Sequence, residues 1–130
     1  MIEERIFRKW LDRVAYDMDT AKAMLQTGRL IYAIFMCQQS LEKCLKALLA
    51  YENKEIVPIH NLRRLAEQAT VIQELDDSTL VKLDFLSNYY INARYKEDLH
   101  QLSKGINESV VRDFIQFSEG LIAWLCQKMK

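Results

Sequence analysis

One apolar rhythm constrains this chain more than any other feature. Phe7, Leu11, Val14, Met18, Ala21 and Leu25 follow one another at alternating steps of four and three, and beyond Gly28 the same beat resumes through Ile31, Ile34, Gln38, Leu41, Leu45 and Leu48. Steps of three and four set side chains along one face of a 3.6-residue helix. The spacing predicts one helix from about Ile2 to Thr27 and a second from about Arg29 to Tyr51, folded back at Gly28 as an antiparallel hairpin. With only three Gly and one Pro in 130 residues, local preference stays helical almost throughout.

The remaining punctuation is sparse. Residues 52–60, ENKEIVPIH, carry the lone Pro58 and read as a loop, after which Asn61 or His60 caps a short helix bearing Leu62, Leu65 and Ala69. Asp76, Asp77 and Ser78 form the next cap signal, and a further helix from about Thr79 turns Leu83, Leu86, Tyr90 and Ala93 inward. The last helix begins near Asn107 and buries Val110, Phe114, Phe117, Leu121 and Trp124. The expected architecture is a single all-α domain over residues 1–130, an antiparallel up-and-down bundle of four principal helices plus one short helix. Phe85, Tyr89 and Tyr95 add apolar surface beyond one stripe, which a homodimer or another partner would cover.

Composition narrows the function classes. Eighteen basic and eighteen acidic residues cancel, so no global field draws the chain to nucleic acid or to an anionic membrane, and any RNA contact must be local. No apolar run approaches the length of a membrane span or a signal peptide, which makes the cytoplasm the expected compartment. Cys37 and Cys44 stand seven residues apart on one helix, a separation of roughly 10 Å that forbids a disulfide. With Cys126 they are expected to be reduced core residues. His60 and His100 are far from each other and from any Cys pair, so neither a metal site nor any other cofactor is expected.

The polar residues of the second helix are the first candidates for more than packing. Gln38 occupies a position on the buried stripe, and Gln38 to Glu42, Gln39 to Lys43 and Glu42 to Lys46 are each four apart and face one another. A polar group on a buried stripe needs partners, so Gln38 and Glu42 are expected to form a polar core network that fixes helix register. His60, just before Asn61, is expected to cap or pack. Arg63, Arg64, Lys96 and Lys104 read either as a phosphate-binding strip or as a solvated face.

The segment from Ala15 to Leu49, centred on GRLIYAIFMCQQSLEKCLKALLA, resembles the signature of the HEPN family, a domain of higher eukaryotes and prokaryotes proposed to bind nucleotides. PIHNLRRLAEQA resembles the family's His-Asp/Asn-Leu loop entering a short helix, and YYINARYKEDLH resembles its later Tyr-rich helix ending in Arg-Tyr. In catalytic branches of that family an Arg and a His four to six residues apart cut RNA without a metal. Arg94 and His100 have five residues between them. The resemblance implies that Arg94 holds the scissile phosphate and that His100 is acid or base for attack by the ribose 2′-hydroxyl, chemistry that suits a permanent guanidinium and an imidazole. Tyr90, Tyr95 and Lys96 are the accompanying candidates for nucleotide or RNA binding.

On a continuous helix Arg94 and His100 would lie about 120° apart with a rise of roughly 9 Å. A joint site therefore needs a bend between Tyr95 and Leu99 or residues from two subunits, which favours a dimer. The subgroup whose Tyr is adenylated by its partner has that Tyr two residues after the His; here Leu102 stands there. The resemblance thus implies a toxin-type endoribonuclease held in check by a minimal nucleotidyltransferase. The alternative is a non-catalytic subunit that binds a nucleotide or docks that transferase.

Overall fold

The structure is a computed structural model that describes residues 2–95 and 103–130, with the backbone alone for 2–4 and 91–95. Among the described residues there are five α-helices, one 3-10 turn and no strand: α1 (Ile2–Gln26), α2 (Leu30–Tyr51), α3 (Leu62–Gln68), the 3-10 turn Ile72–Glu74, α4 (Asp77–Tyr95) and α5 (Glu108–Gln127). The short 3-10 turn is an addition to what the spacing predicts.

Helix ends follow local chemistry. Gly28 takes φ +77, the left-handed conformation in which a Cβ is costly. Its N–H donates to the Leu25 carbonyl at 3.1 Å and that of Arg29 to Met24 at 2.8 Å, closing α1 and reversing the chain. Asn53, at φ 59, ends α2 in the same way. Asn61 caps α3 by accepting from Arg64 N at 3.0 Å, Asp76 caps α4 by accepting from Thr79 N at 2.8 Å, and Asn107 caps α5 by accepting from Val110 N at 2.9 Å.

Phe7 meets Tyr51 edge-on at 5.2 Å, and Ser40 Oγ donates to the Val14 carbonyl at 3.1 Å, so α1 and α2 form the antiparallel hairpin. Phe85 stacks on Phe114 with Lys82 over Phe117, which sets α4 and α5 antiparallel. Cys37 faces Ser118 and Cys44 faces Cys126, so α2 and α5 run in one direction. Helix α2 is the central element and touches α1, α3, α4 and α5. Its Ile34, Leu41, Leu45, Leu48 and Leu49 are sealed from solvent, joined by Val14 and Ala21 of α1 and by Leu62, Leu65, Leu83 and Leu86.

The last helix corrects the sequence reading. Its buried face is Val111, Ile115, Ser118 and Leu125, while Val110, Phe114, Phe117, Leu121 and Trp124 are only partly buried. Two adjacent apolar stripes compete, and the one with smaller or branched side chains faces α2, where the backbones must approach. The aromatic stripe lies beside it against α4 and the 3-10 turn. Phe85 is likewise 38% exposed, left uncovered by the described residues, although its neighbour Tyr89 is buried.

Candidate functional site

Successive turns of α2 carry a chain of linked polar side chains. Gln38, with no exposed surface, donates its Nε2 to Glu42 Oε1 and to the His60 carbonyl, both at 3.0 Å, and its Oε1 accepts from Gln39 Nε2 at 2.8 Å. Glu42 Oε1 also meets His60 Nδ1 at 3.0 Å, while its Oε2 accepts from Lys46 Nζ at 3.0 Å. Lys46 is itself buried and lies 6.0 Å from the Trp10 ring. Both carboxylate oxygens are thus engaged, which is what makes the burial of the Glu42 and Lys46 charges tolerable. On the flank of α2, Lys43 pairs with the buried Asp17 of α1.

The network reaches the surface at His60. The loop before α3 brings this residue back over α2, with its carbonyl held by Gln38 and its ring packed 4.7 Å from the Tyr90 ring of α4. Tyr90 in turn stacks on Phe35 of α2 at 5.5 Å. Ser87 Oγ accepts from Leu62 N at 2.9 Å, tying the start of α3 to α4 beneath the loop. The His60 side chain remains 48% exposed. It packs, as its place before Asn61 suggested, and it also presents an oriented imidazole to solvent.

Tyr90 is only 3% exposed. It backs the imidazole rather than offering an open face to a base. Arg94 and Tyr95 belong by their backbone to the last turn of α4, with Arg94 one turn beyond Tyr90. Lys96 and His100 lie outside the described residues. Arg63 is engaged by Asp84 in a two-point contact, Nε to Oδ1 at 3.0 Å and Nη2 to Oδ2 at 2.8 Å, and the guanidinium holds the Asp84 carboxyl below the usual carboxylate range.

Sequence reasoning missed the pairing of His60 with Glu42. The one signal for it was the His adjoining a cap residue in a loop that has to return over α2. The thiols also divide. Burial pushes Cys37 up to about 12, and a hydrogen bond with Cys126 together with burial raises Cys44 well above its ordinary value. The partly buried Cys126 is instead lowered to about 7 by that hydrogen bond with Cys44 and by the nearby Lys130. Cys126 is free, as expected, and packs at the edge of the core rather than within it. Among the described residues, no group of three or more His, Cys, Asp or Glu side chains could hold a metal ion.

The HEPN domain family model matches residues 7–129, from the first core aromatic of α1 to just past the end of α5. The chain belongs to the HEPN family. Two solved structures share its fold. TT1696 from Thermus thermophilus superposes with a TM-score of 0.80 at 21% identity, covering 94% of this chain and 97% of that one. ST0689, an archaeal HEPN homologue, gives a TM-score of 0.75 at 21% identity, covering 95% of this chain and 98% of that one. No curated protein matches. No helix among the described residues of this HEPN chain is long and apolar enough to cross a membrane.

Proposed function

We propose that this HEPN protein is a toxin-type, metal-independent endoribonuclease that works in the cytoplasm as a homodimer and is checked by a cognate minimal nucleotidyltransferase. The observation that carries the reading is the position of Arg94 on the last turn of α4, one turn beyond the Tyr90 ring that backs the half-exposed His60. Arg94 holds the scissile phosphate and offsets the charge gained in the transition state. His100 exchanges a proton with the reacting oxygens. Tyr95 and Lys96 extend the strip that receives RNA or a nucleotide. The dimer interface draws on α4, where Val81 and Phe85 leave apolar surface exposed.

The test is cleavage of varied RNAs by purified protein in excess chelator, wild type beside Arg94→Ala. Wild type should leave a 2′,3′-cyclic phosphate and spare RNA whose 2′-hydroxyls are methylated. Arg94→Ala should cleave at least ~10²-fold more slowly. A folded wild-type dimer that cuts none of the RNAs would replace this reading with the non-catalytic one, a subunit that binds a nucleotide or docks the transferase.

A further inference from the structure

Helix α5 lies along α2 through two contacts between small polar side chains. Cys37 of α2 meets Ser118 of α5, and farther along the same two helices Cys44 meets Cys126. Cysteine and serine are small, so the helix axes can approach closely at both contacts. The contacts differ in access. Cys37, Ser118 and Cys44 have no exposed surface, whereas Cys126, one position past the buried Leu125, is partly open to solvent at the edge of the core. In the second pair one thiol can be reached from outside and the other cannot.

We propose that Cys44 and Cys126 form a thiol–disulfide modification site, in which a hydroperoxide oxidises Cys126 and the sealed Cys44 resolves the product into a bridge between α2 and α5. This site stands apart from the nuclease reading and does not depend on it.

Three features of the pair support the assignment. The two thiols sit on different helices yet touch, whereas Cys37 and Cys44, on one helix, are too far apart to join. Their contact is also directional. Cys44 donates its S–H to the Cys126 sulfur, which together with the nearby Lys130 lowers Cys126 to about 7 and keeps the proton on Cys44. The thiolate, the form that attacks a peroxide, is therefore on the sulfur that a peroxide can reach. Finally, Cys44 stands between Glu42 and Lys46 on α2. A bridge there would tie the end of α5 to the stretch of α2 that carries the buried polar network. Both cysteines are free in the structure, the resting state of such a site.

The chemistry takes two steps and two electrons. The Cys126 sulfur attacks one oxygen of hydrogen peroxide, the S–O bond forms as the O–O bond breaks, and the departing hydroxide takes a proton to become water. Cys44 then gives up its proton and attacks the Cys126 sulfur. The S–S bond forms as the S–O bond breaks, and the second oxygen also leaves as water. Two thiols and one peroxide become one disulfide and two waters.

The test is brief exposure of the purified wild-type protein to hydrogen peroxide, followed by intact-mass measurement and peptide mapping. Wild type should lose the mass of two hydrogens, yield a peptide pair joining Cys44 to Cys126 within one chain, keep Cys37 open to alkylation after unfolding, and return to the starting mass with dithiothreitol. The rate of thiol loss should climb as the pH rises through about 7, as the Cys126 thiolate forms. Cys44→Ala should stop at the first step and take up one dimedone group at Cys126. Cys126→Ala should leave Cys44 and Cys37 unreacted. Three free thiols after peroxide, a bridge only between two copies of the chain, or a Cys126 sulfinic acid beside an intact Cys44 thiol would each overturn the inference on the wild-type protein alone.

Discussion

In α2 even the polar side chains of Gln38, Ser40, Glu42 and Lys46 are buried, whereas α4, a helix of similar length, leaves Val81 65% and Phe85 38% exposed. The two helices reverse the usual assignment of polar and apolar groups to surface and core, and they do so next to each other. In α2 the reversal is sustained by hydrogen bonds: Glu42 alone accepts from Gln38, His60 and Lys46. In α4 the described residues do not cover it, which leaves an apolar strip beside Phe114 and Phe117. The contrast separates a helix whose polar groups are satisfied inside the bundle from a helix that leaves apolar surface outside it.

Removing one member of the α2 network should have the largest effect on stability. Glu42→Leu leaves the Lys46 ammonium, the Gln38 amide and His60 Nδ1 without their shared acceptor, and should cost about 3–5 kcal/mol in chemical denaturation. A loss below about 1 kcal/mol, the low end for a buried group left unsatisfied, would mean that the network relaxes without its centre and that the contrast with α4 is overdrawn.

The complementary change on α4 should leave the fold intact and alter assembly. Val81→Lys removes exposed apolar surface only, so stability should stay within about 0.5 kcal/mol. On the proposed α4 interface, sedimentation of this variant at micromolar concentration should shift from dimer toward monomer. An unchanged dimer would remove α4 from the interface.

A further expected effect is on pH dependence, and it sharpens the picture of α2 as a sealed helix. The Cys37 thiol is pushed from an ordinary 9.0 up to about 12 by burial. The native state therefore keeps a proton that the unfolded chain releases first. Its contribution to stability is complete below about pH 9 and is lost as the pH rises from there toward 12. Denaturation measured across that window should show a shallower decline in Cys37→Ala than in wild type. Alkylation near pH 8 should reach Cys126, lowered to about 7, well before Cys37. The reverse order would show that α2 opens on the timescale of the reaction.

The helices, their caps and the reversal at Gly28 were all legible in the chain before any fold was known, because each rests on a local signal. Those signals are a 3-4 rhythm, a side chain able to accept from an N–H three residues on, and a residue that tolerates positive φ. Gln38 was legible as a buried polar group for the same reason, since its place in the rhythm is fixed by its neighbours. Packing settled what periodicity leaves open. It chose between two adjacent apolar stripes on α5, turning Val111, Ile115 and Ser118 toward α2 and leaving Phe114 and Trp124 at the flank, because close approach favours the smaller side chains. It also brought His60 to Glu42 across eighteen residues of sequence, and Cys126 of α5 to Cys44 of α2. Neither pairing follows from residue spacing alone; each exists because a separate element packs against α2.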